Sequence, residues 1–399
     1  MPETVYRRYT CGVLGITIGL MLLTAAFNRV VDPFWYFRDV EVVGFNAMKP
    51  RFRQSERDVK PAILAREQPD AVILGSSYAE IGFDPTHPRL TDGGVAKSLN
   101  FAFGGAPWRM NFCTLEFVLS VAKPRRIVLG IHAEVLPAYD CTEDIARMKD
   151  TRWGALLLSA SALEASIRTV SRQRKEKRNS HTREGLFTFT RFEPGVDERF
   201  RLYFNLILKG KRTCRKDYLE RSLAIAAWSN PAEGPPMELG GLRDIVNAVS
   251  GRDITLKLVV YPRHALRMEL DYLCGEAEAR WQALWQIARY LETHPPAPPA
   301  SIEIWDFQGY SAYTTEPLSS GLMAFWQDPE HFNYEFGNVM LDWMFGAVPQ
   351  RGIDGLGYRV TTATLSARRA WFEEQRMEYL RAHPEASKTL AGLLPPGLP

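Results

Sequence analysis

Between Cys11 and Phe27 the chain reads CGVLGITIGLMLLTAAF, a run without a charge, bounded by Arg7-Arg8 before it and by Arg29 after it. An uninterrupted apolar segment of this kind fits a membrane better than the half-exposed elements of a soluble domain. As a helix it rises about 25 Å, near the lower limit for crossing a bilayer, and Val30 and Val31 extend it if the Arg29 guanidinium reaches the headgroups. Phe34-Trp35-Tyr36-Phe37 follows directly and is expected to form an interfacial aromatic belt. The competing reading is a cleaved secretory signal, for which Thr24-Ala25-Ala26 supplies small residues at a processing site. The length of the run and the belt behind it favour a retained anchor over residues 1–31. Flanking charges are nearly balanced, yet an N-in anchor and a secretory signal both place the rest of the chain outside the cytoplasm, on its periplasmic or extracellular side.

The 399 residues, 46% hydrophobic and 24% charged, suffice for one large core or two modest ones, which excludes a disordered chain. Lys+Arg 49 against Asp+Glu 46 leaves +3, so no nucleic-acid partner is expected from charge. Cys11, Cys113, Cys141, Cys214 and Cys274 contain no CxxC pair and no Cys/His cluster with zinc spacing, so no metal site is expected. In an oxidising compartment Cys141 and Cys214 are the preferred pair, because both fall in the irregular middle of the chain. Buried free thiols are the standing alternative.

Residues 32–68, rich in Pro, Arg and aromatics, show no sustained period and read as a juxtamembrane arm. Short apolar runs then recur at Asp70–Gly75, Arg126–Ile131, Thr255–Tyr261 and Ser301–Trp305, with helical patterns at Trp108–Val121, Asp271–Thr293 and Glu335–Phe345. Apolar strands alternating with helices predict an α/β domain over 69–350, its mostly parallel sheet covered on both faces. From 137 to 251 the pattern changes to helices with polar interruptions and reads as an insertion. Its basic run Arg172–Arg178 is expected to be a solvated face. A C-terminal region, 351–399, holds one helix, Thr364–Arg381, and a tail ending Leu-Leu-Pro-Pro-Gly-Leu-Pro.

Chemistry is concentrated at three places. The first strand runs into Gly75-Ser76-Ser77, and a serine on the turn after a central strand projects at the sheet's carboxyl edge, where open α/β folds bind ligands. Far downstream, Asp328-Pro-Glu-His331 sets a carboxylate and an imidazole three residues apart, so that Asp328 can hold the His331 Nδ1 proton while Nε2 faces the serine. Between them Asn100-Phe-Ala-Phe-Gly104-Gly105 offers flexible backbone amides to an oxyanion. Each signal is weak alone, and the order Ser, Asp, His is what joins them. A Gly-x-Ser-x-Gly elbow is absent, because Ala79 replaces its second Gly, which disfavours an ordinary α/β-hydrolase.

These blocks resemble the SGNH (GDSL-like) hydrolase family, and among its members the membrane-anchored bacterial proteins of the DltD and alginate O-acetylation type. The resemblance implies a three-layer α/β sandwich with Ser77 as nucleophile, His331 as base and Asp328 orienting it. It assigns the oxyanion to the amides of Ser77 and Gly105. The family's third block, Gly-x-Asn-Asp, is replaced by Gly130-Ile131-His132-Ala133, which leaves His132 as a substitute donor. Asp32-Pro33, Pro262-Arg-His264-Ala and Trp305-Asp306-Phe307 extend the likeness, with His264 and Asp306 as candidate rim residues of the substrate cleft, for which a packed or hydrogen-bonded role is preferred over substrate contact. The implied function is a serine esterase or O-acyltransferase on acyl esters of cell-envelope polysaccharide or lipid-linked polymer, needing no cofactor. A polytopic membrane acyltransferase is an expected partner. The competing class is a non-catalytic glycan-binding or assembly subunit, which the missing Asn supports and the retained triad opposes.

Overall fold

Ala71, Val72, Ile73 and Leu74 are all buried, so both faces of this strand are covered, as in the centre of a parallel sheet flanked by helices. In the computed structural model the strands are β1 (Ala71–Leu74), β2 (Ser98–Asn100), β3 (Arg126–Ile131), β4 (Thr255–Val260), β5 (Ser301–Asp306) and β6 (Tyr358–Arg359). They form one sheet in the order β2-β1-β3-β4-β5-β6, parallel throughout except that β6 runs antiparallel to β5. The structure describes residues 3–132, 136–150, 153–176, 178–188, 238–273, 276–317, 323–346, 355–384 and 388. Much of the expected insertion, together with Cys214, Cys274 and the C-terminal tail, lies outside them.

The order of the first three strands positions the site. The chain leaves β1 to build β2 on one side and returns to build β3 on the other, which opens a crevice between the carboxyl ends of β1 and β3. Gly75-Ser76-Ser77 leaves β1 there, and His132 leaves β3. Beside the crevice the helix Ser77–Gly82 packs on the helix Tyr334–Phe345. Their approach is close enough that a Cβ on Gly337 would fall on the Gly82 carbonyl oxygen. Asn333 starts the second helix, its Oδ1 accepting from the Glu335 and Phe336 N–H groups. Phe332 and Phe336, fully buried with Phe83, Trp326 and Met340, form the apolar floor under both helices. Truncating one of these rings to alanine typically costs about 3–5 kcal/mol.

Two compact units divide the chain: residues 1–67 with 142–183, and residues 68–141 with 184–399. This corrects the expected organisation, since part of the insertion belongs with the N-terminal segment. In the first unit the helix Glu3–Val31 is the one helix among the described residues that is long and apolar enough to cross a membrane. Its C-terminal end packs against the helices Trp153–Leu158 and Ala160–Arg172, where Asn28 Nδ2 donates to the Leu157 carbonyl at 2.7 Å. The Lys49 ammonium, buried, caps its last turn by donating to the Val31 and Asp32 carbonyls at 3.0 and 2.6 Å.

Two expectations for this unit are overturned. Phe34, Trp35 and Phe37 are buried, with Trp35 edge-on to Phe52 at 5.1 Å, so the aromatic run builds a core instead of an interfacial belt. The arm also contains a 16-residue helix, Phe52–Glu67, which its many charges and the internal Pro61 hid from a periodicity reading. In the second unit the described parts of Asp271–Thr293 lie in the helices Ala265–Leu273 and Glu276–Thr293, the latter packed on the C-terminal helix Thr362–Ala382. The disulfide there joins Cys141 to Cys113, not to Cys214, with Cα atoms 5.2 Å apart. Cys113 lies on the helix Trp108–Val121.

Candidate active site

A turn that only glycine can make delivers the serine. Gly75 has φ of 144°, and a Cβ there would strike the Tyr261 hydroxyl and Ala79. That hydroxyl accepts the Ser76 N–H at 3.2 Å, and burial pushes its own pKa up to about 12. Tyr261, the first residue after β4, thereby pins the back of the turn in its neutral form. Ser77 opens the short helix Ser77–Gly82, whose Ala79 and Glu80 N–H groups both donate to the Ser76 carbonyl at 3.0 Å.

Ser77 Oγ lies 2.8 Å from His331 Nε2, and His331 Nδ1 lies 2.7 Å from Asp328 Oδ2. The other Asp328 oxygen accepts the backbone N–H groups of Glu330 and His331 at 2.9 and 2.8 Å, so the carboxylate organises its own loop. With Nδ1 protonated toward Asp328, Nε2 accepts the serine proton. Burial disfavours the imidazolium, but the Asp328 charge and hydrogen bond, and then the Glu330 charge, outweigh it, leaving the His331 pKa above its ordinary 6.5. The structure thus brings a hydroxyl, an imidazole and a carboxylate from residues separated by some 250 positions into one hydrogen-bonded line, the arrangement that general-base chemistry requires.

The remaining sequence candidates divide. The Phe103 N–H donates to the Gly75 carbonyl at 3.1 Å, which runs the following Gly104-Gly105 loop alongside the Gly75-Ser76-Ser77 turn. Gly105 has φ of 67°, with no atom within 4 Å of where its Cβ would stand. Asn100 is buried and its Nδ2 donates to the Ala79 and Phe83 carbonyls at 2.9 and 3.0 Å, tying the loop to the Ser77 helix. His132 lies edge-on to both Tyr78 and Tyr261 at 5.1 Å, and it lines a narrow cleft with Tyr261, Arg263, Asp271, Arg280 and Trp281.

His264 and Asp306 do not lie on a cleft rim. His264 is 2% exposed; its Nε2–H donates to the Glu316 carbonyl at 2.8 Å and its Nδ1 accepts the Leu266 N–H at 3.3 Å. Its backbone N–H donates to the Pro329 carbonyl at 3.0 Å, inside the Asp328–His331 loop, so His264 buttresses that loop from behind. Burial lowers its pKa to about 4, and it is neutral. Asp306 is 0% exposed, paired with Arg280 and accepting the Gln308 N–H at 3.0 Å.

Four residues of the site escaped the motif reading. Tyr78 and Glu330 each flank a motif residue, and the Tyr78 hydroxyl donates to the Glu330 carboxylate. Arg267 Nε lies 3.1 Å from the other Glu330 oxygen. Tyr261, the fourth, carried no signal beyond ending an apolar strand. No protein-family model, curated protein or solved structure matches the chain.

Proposed function

We propose that the chain is a membrane-anchored, SGNH-like serine esterase or O-acyltransferase that acts on acyl esters of cell-envelope polysaccharide or lipid-linked polymer, its body on the outer side of the cytoplasmic membrane. The observation that carries the reading is the continuous Ser77–His331–Asp328 hydrogen-bond relay at the crevice between β1 and β3. Ser77 Oγ attacks the ester carbonyl as His331 takes its proton, and Asp328 steadies the imidazolium. The carbonyl oxygen becomes an oxyanion facing the amides of Ser77 and Gly105. Collapse breaks the ester C–O bond, His331 protonates the departing alkoxide, and the acyl group stays on Ser77. Water then completes hydrolysis, or a sugar hydroxyl completes transfer, with His331 again the base. The apolar Glu3–Val31 helix and the Cys113–Cys141 disulfide support an envelope setting.

A fluorophosphonate probe should label the detergent-solubilised full-length protein, and Ser77→Ala should abolish both labelling and turnover of an activated ester. Equal labelling and equal rates for the two proteins, on activated esters and on acetylated glycan with an acyltransferase partner supplied, would replace the enzyme with the glycan-binding or assembly subunit. That second reading draws on one feature, the Tyr261 hydroxyl packed over Gly130, at the block where the family's Asn is missing.

A further inference from the structure

The serine helix and the histidine loop are joined twice. One bond runs from Ser77 to His331, and the second runs between their chain neighbours, from the Tyr78 hydroxyl to the Glu330 carboxylate. The Tyr78 ring is itself fixed, stacked on Tyr261 at 4.7 Å with planes 20° apart on one side and tilted over the His331 imidazole at 4.6 Å on the other. Glu330 is held from a third direction by Arg267 on the helix Ala265–Leu273. This helix begins beside His264, whose N–H holds the Pro329 carbonyl, so the loop is gripped from outside on consecutive residues from Pro329 to His331.

We propose that Tyr78 and Glu330 form a clamp parallel to the Ser77–His331 bond, and that Glu330 acts as a positioning residue that holds the imidazole in register with the nucleophile. The inference rests on the reading of Ser77 and His331 as nucleophile and base. Its physical content is preorganisation: with both neighbours tied, neither the serine nor the imidazole can drift without breaking a charge-assisted hydrogen bond.

The clamp also has an electrostatic side. Among the described residues, the charged and titratable groups around His331 are Asp328 and Glu330 on its own loop, and Ser77 and Tyr78 on the serine helix. Behind them stand Tyr261 after β4, His132 after β3 and Arg267 on its helix. Arg267 and Arg263, the latter 2.5 Å from Asp271, supply two positive charges against three carboxylates, Glu330, Asp271 at 3.0 Å and Glu276 at 3.9 Å from Arg267, so Glu330 is not fully cancelled. A net negative charge beside the imidazole therefore favours its protonated form.

The test uses the full-length protein in detergent with isotope-labelled histidines, so that His331 can be titrated by NMR without reference to turnover. Glu330→Gln keeps an acceptor for Tyr78 but removes the charge, and the His331 midpoint should fall by about 0.5–1 pH unit. Glu330→Asp should restore it. Tyr78→Phe keeps the ring stack and deletes the bond, and it should lower kcat by up to about tenfold with KM nearly unchanged. An unmoved midpoint in folded Glu330→Gln, or wild-type kcat in Tyr78→Phe, overturns the clamp. Should Glu330→Gln fail to fold, the kcat-against-KM split of Tyr78→Phe decides. A wild-type protein whose midpoint responds to Glu330→Gln but which shows no Ser77-dependent turnover removes the catalytic reading and leaves the contact itself standing.

Discussion

At His331 two opposed forces meet, burial against the imidazolium and Asp328 with Glu330 for it, and the charges win. Only the neutral ring accepts the Ser77 proton, so kcat/KM should rise with pH through a midpoint above 6.5 and be lost as pH falls below it. A pH–rate profile with its acid limb well below 6.5 would contradict this electrostatic account. His264 runs the other way. Its folded pKa of about 4 lies below the ordinary 6.5, so between those values the unfolded chain binds the extra proton and stability drains away as pH falls. At about 1.4 kcal/mol per pH unit, that interval holds roughly 3 kcal/mol. Urea titrations at pH 7 and pH 4.5 should show the difference, and His264→Gln should flatten it. Both results bear on what was legible. Ser77, Asp328 and His331 stood out because general-base chemistry fixes residue types and local spacing. His264 and Asp306 were assigned to a rim because a polar residue just past a strand end looks the same in sequence whether it faces a ligand or is paired in the core. Tyr78, Glu330 and Arg267 carried no signal, since their meaning lies in contacts between distant positions.

The helix Ser77–Gly82 carries the serine and the helix Tyr334–Phe345 follows the Asp328–His331 loop, and the distance between the two helices is set where Gly337 meets Gly82. A methyl at 337 forces them apart. Gly337→Ala should therefore cost about 1–3 kcal/mol of stability, read as a lower melting temperature, and should depress Ser77 labelling at temperatures where the variant is still folded. Wild-type labelling and melting together would show that the contact does not set the triad. The same elements mark the reach of periodicity. Trp108–Val121 and the strands β1, β3, β4 and β5 were readable because each is a continuous apolar run or stripe long enough to bury. With 3 and 2 residues, β2 and β6 are too short to show a period. The helix Phe52–Glu67 buries Phe52, Val59, Ile63 and Leu64 among charged neighbours, a stripe that only the folded partner surface reveals.

For the molecule as a whole, the proposed function stands or falls with the side of the membrane on which the sheet lies. Sequence supplied the apolar helix but drew the wrong covalent link, because distance along the chain says nothing about which thiols meet once Trp108–Val121 has packed on the sheet. A Cys113–Cys141 bond closing 28 residues removes enough freedom from the unfolded chain to contribute about 3–4 kcal/mol, by loop-closure entropy alone. Such a bond persists in an oxidising compartment and is reduced in the cytoplasm. In cells quenched with acid and alkylated with a large maleimide, Cys113 and Cys141 should therefore resist modification until reductant is added. A phosphatase fused after residue 68 should be active in the same cells. The Cys113→Ser, Cys141→Ser double variant should reach the membrane but melt earlier than wild type by the equivalent of that stabilisation. If both thiols alkylate without reductant and only a cytoplasmic reporter works at position 68, the body faces inward. An acyl-transfer site would then have no access to envelope polymer, and the Ser77 relay would need a cytoplasmic ester as its substrate.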